Sequence, residues 1–229
     1  SNANLRTQLT FIVSIFLVIF IVFAVISFST LQKLKVNGPT YERIVQGKDL
    51  IADILPPPEY IIESYLVTLQ MLGNCDSKTL DQLIARSQAL KHDYQERHEY
   101  WIKSLDDGNI KSSLVDKSYS PALEFYDLME SKYIPAVKSG NLELAKQMAF
   151  GEMRQKYEEH RAEIDGVVQM TNARNSKDET DAADTIKART LLMILVGLAG
   201  IGITVFLSFL ISAGITRKIK NIVTKLVEG

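Results

Sequence analysis

The stretch FIVSIFLVIFIVFAVISF, residues 11–28, contains no charged residue. A second uncharged stretch, TLLMILVGLAGIGITVFLSFLISAGIT, occupies residues 190–216. About 20 consecutive apolar residues are enough for a helix to cross roughly 30 Å of bilayer hydrocarbon. Because backbone groups in lipid must form their hydrogen bonds within their own segment, both stretches predict transmembrane helices, at residues 9–30 and 190–214. A cleaved signal peptide is the alternative for the first stretch; its length and the lack of a clear small-residue cleavage site favour a retained helix.

The composition excludes several classes of protein. The 229 residues include 26 Lys and Arg, 27 Asp and Glu, and one Cys. The formal charge of −1 argues against binding to nucleic acid by neutralising phosphates. A single cysteine excludes an intramolecular disulfide and a cysteine zinc site. No phosphate-binding glycine loop, nucleophile elbow or His-Glu-x-x-His motif is present, so we predict no enzyme activity and no cofactor.

Charges beside the apolar stretches predict the orientation. Positive flanks remain in the cytoplasm, and the second stretch is followed by four basic residues against one acid, namely Arg217, Lys218, Lys220 and Lys225 against Glu228. We therefore expect a cytoplasmic C-terminus and, after two spans, a cytoplasmic N-terminal segment, residues 1–8, of which 1–3 resemble the remnant of a purification tag. Residues 31–189 then lie outside the membrane; they hold 21 Lys and Arg against 26 Asp and Glu and are numerous enough to bury a core.

The outer region shows helical periodicity and no strand-like alternation, which predicts an all-α, antiparallel four-helix bundle. The first helix should break at Asn37-Gly38-Pro39 and again within 55–59, where Pro56-Pro57-Pro58 lie. The second should begin after Gly73-Asn74, capped by Asp76 or Ser77, and end at 106–109.

Proline and glycine positions set the remaining predicted boundaries. The third helix should open at Ser120-Pro121, and Pro135 should kink it. Ser139-Gly140-Asn141 should form a tight connection. The fourth helix should then continue from Leu142 without a strong breaker, and its apolar stripe fades at 172–187, which predicts a weakly packed, solvated helix.

Two segments carry a resemblance to a known family. KDLIADILPPPEYIIESY, residues 48–65, looks like a recurring segment of chemoreceptor ectodomains. ITRKIKNI, residues 215–222, is similar to the opening of a HAMP linker, although Lys218 stands where that linker commonly has proline. Apolar residues there step by four, three and four, as in a coiled-coil seam formed by Ile215, Ile219, Ile222 and Leu226. With the layout of the two spans, the chain resembles bacterial methyl-accepting chemotaxis proteins with a four-helix-bundle periplasmic sensor.

That resemblance implies a homodimeric, two-pass receptor of the bacterial inner membrane, with a truncated HAMP linker at 215–229. It would sense a small-molecule ligand, or a ligand-loaded binding protein, in the periplasm and displace a helix. The cytoplasmic partners would be a coupling protein and a histidine kinase. Two alternatives remain open: the same input module can precede a sensor histidine kinase or a nucleotide cyclase, and the chain can be a membrane-anchored scaffold without a small ligand.

The proline segment is the best candidate ligand site, because a broken helix frees backbone groups and opens a concavity. Six polar residues surround it: Lys48, Asp53, Glu59, Tyr60, Glu63 and Tyr65. Alternatively, the prolines only reshape the bundle and these side chains face water.

A second candidate lies on one face of the fourth helix. Arg154, Tyr157 and Arg161 lie three and four residues apart, and two guanidinium groups are suited to gripping a carboxylate. Surface pairing with Glu158 or Asp165 is the alternative use of these arginines.

The histidines and the largest aromatic residues have ordinary explanations. His92 and Glu96 share a face and are able to hold a metal with His98 or Glu99, but exposed surface pairs account for them more simply, and we predict no metal site. Tyr94 and Trp101 are expected in the bundle core rather than in a cofactor cage.

Overall fold

A computed structural model describes the backbone of residues 5–54, 59–73 and 76–227, and the side chains of 6–54, 59–73 and 76–224. Within these ranges no strand is present, which confirms the all-α prediction. The predicted prolines of the first helix, Pro56-Pro57-Pro58, lie outside the described residues, as do Asn74 and the side chain of Leu226.

The regular elements are nine α-helices and two π-helical turns within the described residues. In chain order they are α1 (Leu5–Leu34), α2 (Pro39–Ile54), α3 (Ile62–Met71), α4 (Ser77–Ser104), α5 (Asn109–Lys111), a first π turn (Ser112–Lys117), α6 (Tyr119–Leu128), a second π turn (Met129–Tyr133), α7 (Ile134–Lys138), α8 (Leu142–Phe150) and α9 (Glu152–Val227).

The chain divides into two compact units, residues 1–42 with 178–229 and residues 43–177. The first unit holds α1 and the C-terminal part of α9. Both helices are long and apolar enough to span a membrane, and the predicted spans at 9–30 and 190–214 lie within them. The most apolar window is 0% buried in α1 and 6% buried in α9, whereas the core helix of a soluble protein would cover such a surface.

The first predicted break, at Asn37-Gly38-Pro39, is confirmed. Asn37 has a φ of 60°, and Pro39 is the first residue of α2. A Cβ at Gly38 would lie 2.8 Å from the Lys35 carbonyl oxygen, so the turn leaves no room for a side chain there.

The predicted start of α4 is also confirmed. The Asp76 side chain accepts a 2.7 Å hydrogen bond from the Thr79 amide, which satisfies one of the free donors of the first turn. Leu90, Tyr94 and Trp101 are buried along this helix, as its periodicity predicts.

The predicted start of the third helix at Ser120-Pro121 is wrong. Helical structure already begins at Asn109, and Pro121 lies inside α6. The first π turn explains the difference: the Ser118 amide bonds to the Ser113 carbonyl, five residues back, at 2.9 Å. This wider turn shifts the backbone hydrogen-bonding pattern, and the helix continues through Pro121 although proline has no amide donor. The second π turn precedes Pro135 in the same way.

The connection at Ser139-Gly140-Asn141 is confirmed. Gly140 has a φ of +77°, and the Asn141 amide bonds back to the Ala136 carbonyl at 2.9 Å. The Asn141 side chain then caps α8 by accepting from the Leu144 amide at 3.2 Å. The next stretch is not free of breaks: Gly151 has non-helical angles and separates α8 from α9. From Glu152 onward α9 has 76 residues and includes the polar stretch 172–187.

The core of the second unit consists of two hydrophobic clusters. The larger contains residues of α3, α4 and α6 to α9, and the smaller contains Leu50 and Ile54 of α2, Trp101 of α4, and Ile164 and Val167 of α9. Tyr60, in the link between α2 and α3, packs against both clusters. Tyr60 therefore lies at the junction of the two cores.

Candidate functional site

Glu59 is the least expected buried residue of the molecule. It lies in the bend that precedes α3, where its amide donates to the Asp53 carbonyl at 3.0 Å. Its side chain is 0% exposed, and neither carboxylate oxygen has a hydrogen-bond partner among the described residues. Buried polar groups in native proteins nearly always have partners, so these two oxygens mark an unusual position.

Burial changes the chemistry of this carboxyl group. Loss of solvation and, to a smaller extent, the nearby Asp53 raise the pKa of Glu59 to about 8, even though Arg97 acts in the opposite direction. A carboxyl group of this kind is mainly protonated at neutral pH and ionises readily when a positive charge approaches.

The nearby cation, Arg97, is already engaged. Its guanidinium forms a salt bridge with Asp53 and lies 4.4 Å from the ring centre of Tyr100. The Asp53 carboxylate also accepts a 3.0 Å hydrogen bond from the Trp101 indole. Asp53 and Arg97 thus neutralise each other, and Glu59 is left without a dedicated counter-ion.

His160 of α9 is fully buried near Glu59. Its Nδ1 lies 2.8 Å from the Ser118 carbonyl oxygen. Because a carbonyl oxygen only accepts, Nδ1 carries the proton. The ring also lies within reach of the Glu59 backbone carbonyl, but Nε2 makes no well-formed hydrogen bond among the described residues. Burial lowers the pKa of His160 to about 4, so the ring is neutral at physiological pH.

Tyr94 of α4 completes the group around Glu59. Its ring is 0% exposed and meets the His160 ring edge to face, with ring centres 6.0 Å apart. Burial, and then the neighbouring Glu59, raise the pKa of Tyr94, and the Ser118 side chain opposes this shift. Its hydroxyl makes no well-formed hydrogen bond among the described residues, whereas the buried Tyr126 hydroxyl lies 2.8 Å from the Ser64 hydroxyl.

His98 extends the group by one helical turn. It is buried, its ring stacks on Tyr119 at 3.5 Å, and its Nδ1 has no partner among the described residues. Burial lowers the pKa of His98. We call Glu59, Tyr94, His98, Ser118 and His160 the acid–imidazole cluster.

Three tyrosines adjoin this cluster. The hydroxyls of Tyr60 and Tyr157 lie 2.6 Å apart and share a hydrogen bond, and Tyr65 stacks on Tyr157 with ring centres 4.7 Å apart. The Tyr65 hydroxyl donates to the Ala149 carbonyl at 3.1 Å. Since the Tyr60 ring centre lies 6.3 Å from that of His160, the tyrosines form one wall beside the cluster.

The structure brings together five of the nine candidate site residues. They are Asp53, Glu59, Tyr60, Tyr65 and Tyr157. The alternative in which the polar side chains of the link face water is therefore wrong for Glu59, which is fully buried.

The other four candidates lie at the surface of the unit or at its edge. Lys48 is exposed on α2, and the half-exposed Glu63 pairs with Arg86 at 2.6 Å. Arg154 is exposed, although its charge lowers the pKa of the neighbouring Tyr65. Arg161 approaches Glu158 at 3.8 Å and Asp165 at 3.7 Å, which is the surface pairing given above as the alternative.

The sequence analysis missed four members of the acid–imidazole cluster as site residues: Tyr94, His98, Ser118 and His160. Two sequence signals were available. His160 follows Tyr157 by three residues and His98 follows Tyr94 by four, so each histidine shares a helix face with a core tyrosine.

No competing site of similar chemistry is evident in the described part of the chain. A groove of about 740 Å³ runs along the connection between α7 and α8, where Pro135, Leu144 and Met148 line it beside Lys132 and Glu152. No group of three His, Cys, Asp or Glu residues is placed to hold a metal ion among the residues searched. The acid–imidazole cluster is therefore the candidate site.

Comparison with known proteins adds no assignment: no family model, no curated protein and no solved structure matches this chain.

Proposed function

We propose that this chain is the sensor and transmembrane portion of a two-pass receptor of the methyl-accepting chemotaxis type. In this proposal residues 31–189 form an antiparallel four-helix bundle outside the inner membrane, α1 and the end of α9 are the spans, and a HAMP linker starts at 215. The receptor acts as a homodimer and reports to a cytoplasmic histidine kinase through a coupling protein.

One observation carries the proposal. The helix α9 is continuous from Glu152 to Val227, and it contains both the site residues Tyr157 and His160 and the second candidate span. A rearrangement at His160 therefore acts on the same hydrogen-bonded helix that enters the predicted membrane segment.

The internal site supports a ligand-driven mechanism. A ligand shifts a two-state equilibrium only by the difference between its affinities for the two states. Glu59 and His160 come from different elements, the α2–α3 link and α9, so a ligand that contacts both senses their relative position. Displacement of α9 against the link is the motion that such a ligand would bias.

A chimera tests this function. Residues 1–229 are fused to the HAMP and signalling domains of a receptor with known kinase control, and kinase activity is measured in membranes against amino acids, organic acids, amines and metal ions. We expect one compound class to change kinase activity, and the change to be lost in Tyr157→Ala. If a chimera with normal basal kinase control responds to no compound class, the chain is not a direct small-molecule receptor.

A further inference from the structure

The buried atoms that lack partners describe the ligand that would satisfy them. Glu59 offers two carboxylate oxygens, and His160 offers the lone pair of Nε2. The Tyr94 hydroxyl adds a third side chain that accepts a hydrogen bond. When Glu59 is ionised, acceptors outnumber donors, so a ligand that brings several N–H groups would match them.

The charges near Glu59 favour a ligand that is positively charged. When Glu59 is ionised, the two carboxylates Asp53 and Glu59 face one guanidinium, that of Arg97, which already pairs with Asp53. With two negative charges and one positive charge, the site becomes neutral when it binds one cation. A buried, unpaired carboxylate is costly, and a cation that bonds to it removes that cost.

The aromatic walls favour the same kind of ligand. The ring of Tyr94 lies beside that of His160. The ring of Tyr60 also lies beside His160 and stacks on Tyr157. Cations are attracted to the faces of such rings. A metal ion is disfavoured, since no set of three metal-ligating side chains converges among the residues searched.

We propose that the acid–imidazole cluster binds a small primary ammonium group, as in ammonium or a short alkylammonium ion, through Glu59, His160 and Tyr94. Its three N–H donors match one carboxylate, one imidazole nitrogen and one hydroxyl. This inference rests on the proposed function and names the ligand class of the same site.

The binding test uses the full chain in lipid nanodiscs and isothermal titration calorimetry with methylammonium chloride. Tetramethylammonium is the matched ligand control, because it keeps the positive charge and has no N–H donor. We expect methylammonium to bind, and tetramethylammonium to bind more weakly by about tenfold or more, since it forms no hydrogen bond to the buried acceptors.

Glu59→Gln keeps the shape of the side chain and removes its charge, and should weaken methylammonium binding by about tenfold or more. Glu63→Gln, an acid four residues away that pairs with Arg86, is the control and should bind as the unchanged protein does. If Glu59→Gln fails to fold, Tyr94→Phe removes one acceptor and should also weaken binding.

Proton release gives an independent readout. A Glu59 carboxyl with a pKa of about 8 is mostly protonated at pH 7, so binding of a cation should release close to one proton. The measured heat should then differ between phosphate and Tris buffers, and the Kd should fall by about tenfold from pH 7 to pH 9. Proton release should be absent in Glu59→Gln.

Several outcomes would overturn the inference: no binding of methylammonium or ammonium, equal binding of tetramethylammonium, no effect of Glu59→Gln, or a response to metal ions alone. The chimera separates this failure from failure of the proposed function. If methylammonium binds but kinase activity does not change, the ammonium site is supported and the receptor function is rejected. If another compound class changes kinase activity and no amine binds, the receptor function is supported and the ammonium site is rejected.

Discussion

At the scale of the residue, the decisive feature is a carboxyl group placed where no charge is expected. A glutamate at the end of a proline segment has the sequence features of a surface residue, yet Glu59 is as buried as Tyr94 and His160. Periodicity predicts which face of a helix is buried, but Glu59 lies between helices, where periodicity carries no information. The proximity of Glu59 to His160 depends on tertiary packing and was therefore not predictable from either segment.

Glu59 should make the stability of the protein fall as pH rises. Its pKa is raised from 4.5 to about 8 in the folded state, so the folded chain holds a proton that the unfolded chain has lost between these values. Stability from this group is present below pH 4.5 and is lost as the pH rises through 8, by up to about 1.4 kcal/mol per pH unit.

Urea unfolding of the full chain in detergent between pH 5 and pH 8.5 measures this slope. In Glu59→Gln the slope should become shallower, whereas Glu63→Gln should retain it. An identical slope in the protein and in Glu59→Gln would show that Glu59 is ionised in the folded state.

His160 should behave in the opposite sense. Burial lowers its pKa from 6.5 to about 4, so the neutral ring stabilises the fold above pH 6.5, and this stability is lost as the pH falls toward 4. NMR of the ring nitrogens at pH 5.5 should show a neutral imidazole with the proton on Nδ1. A charged ring at that pH would contradict the lowered pKa, and a neutral ring with its proton on Nε2 would contradict the hydrogen bond to the Ser118 carbonyl.

At the scale of the element, capping residues predicted helix ends reliably, whereas Pro39 marked a helix start and Pro121 did not. Asp76, Gly140 and Asn141 act through bonds to residues three to five positions away, so their effect is visible in the sequence. Pro121 failed as a helix start because the preceding π turn shifts the bonding register, and no residue type marks such a turn. The break at Gly151 was missed for a similar reason, because glycine is also compatible with a continuous helix, as Gly166 shows.

Two glycines of the second unit should respond to alanine in opposite ways. Gly140 has a φ of +77°, so Gly140→Ala should destabilise the protein by about 1 kcal/mol through backbone strain alone. Gly166 lies within α9 with open space around the added methyl, so Gly166→Ala should stabilise the protein by about 0.5–1 kcal/mol. Urea midpoints of the two variants measure the difference, and shifts of the same sign would contradict these backbone conformations.

At the scale of the whole molecule, the chain combines an internal polar site with one helix that continues into a candidate span. The apolar stretches made two helices long enough to span a membrane predictable, and helical periodicity made the all-α class predictable, because both signals are local. The acid–imidazole cluster required four distant segments to meet and therefore depended on the packed structure.

Breaking α9 between the site and the span should separate binding from output. Ala183 is an exposed residue in the polar stretch 172–187, and Ala183→Pro removes a helical donor at a cost of about 3 kcal/mol. In the chimera we expect this variant to bind the ligand of the unchanged protein without a kinase response, whereas Ala183→Ser should respond normally. A normal response of Ala183→Pro would show that continuity of α9 is not needed.

The continuity of α9 also constrains how such a chain can change during evolution. Each residue of an α-helix turns the chain by about 100°, so inserting one or two residues between His160 and the span would rotate the two against each other by a large fraction of a turn. Insertions of seven or eleven residues restore the orientation to within about 20°. Length variation among relatives should therefore occur in this stretch in steps of seven or eleven residues, because only such steps preserve the orientation of His160 relative to the end of α9.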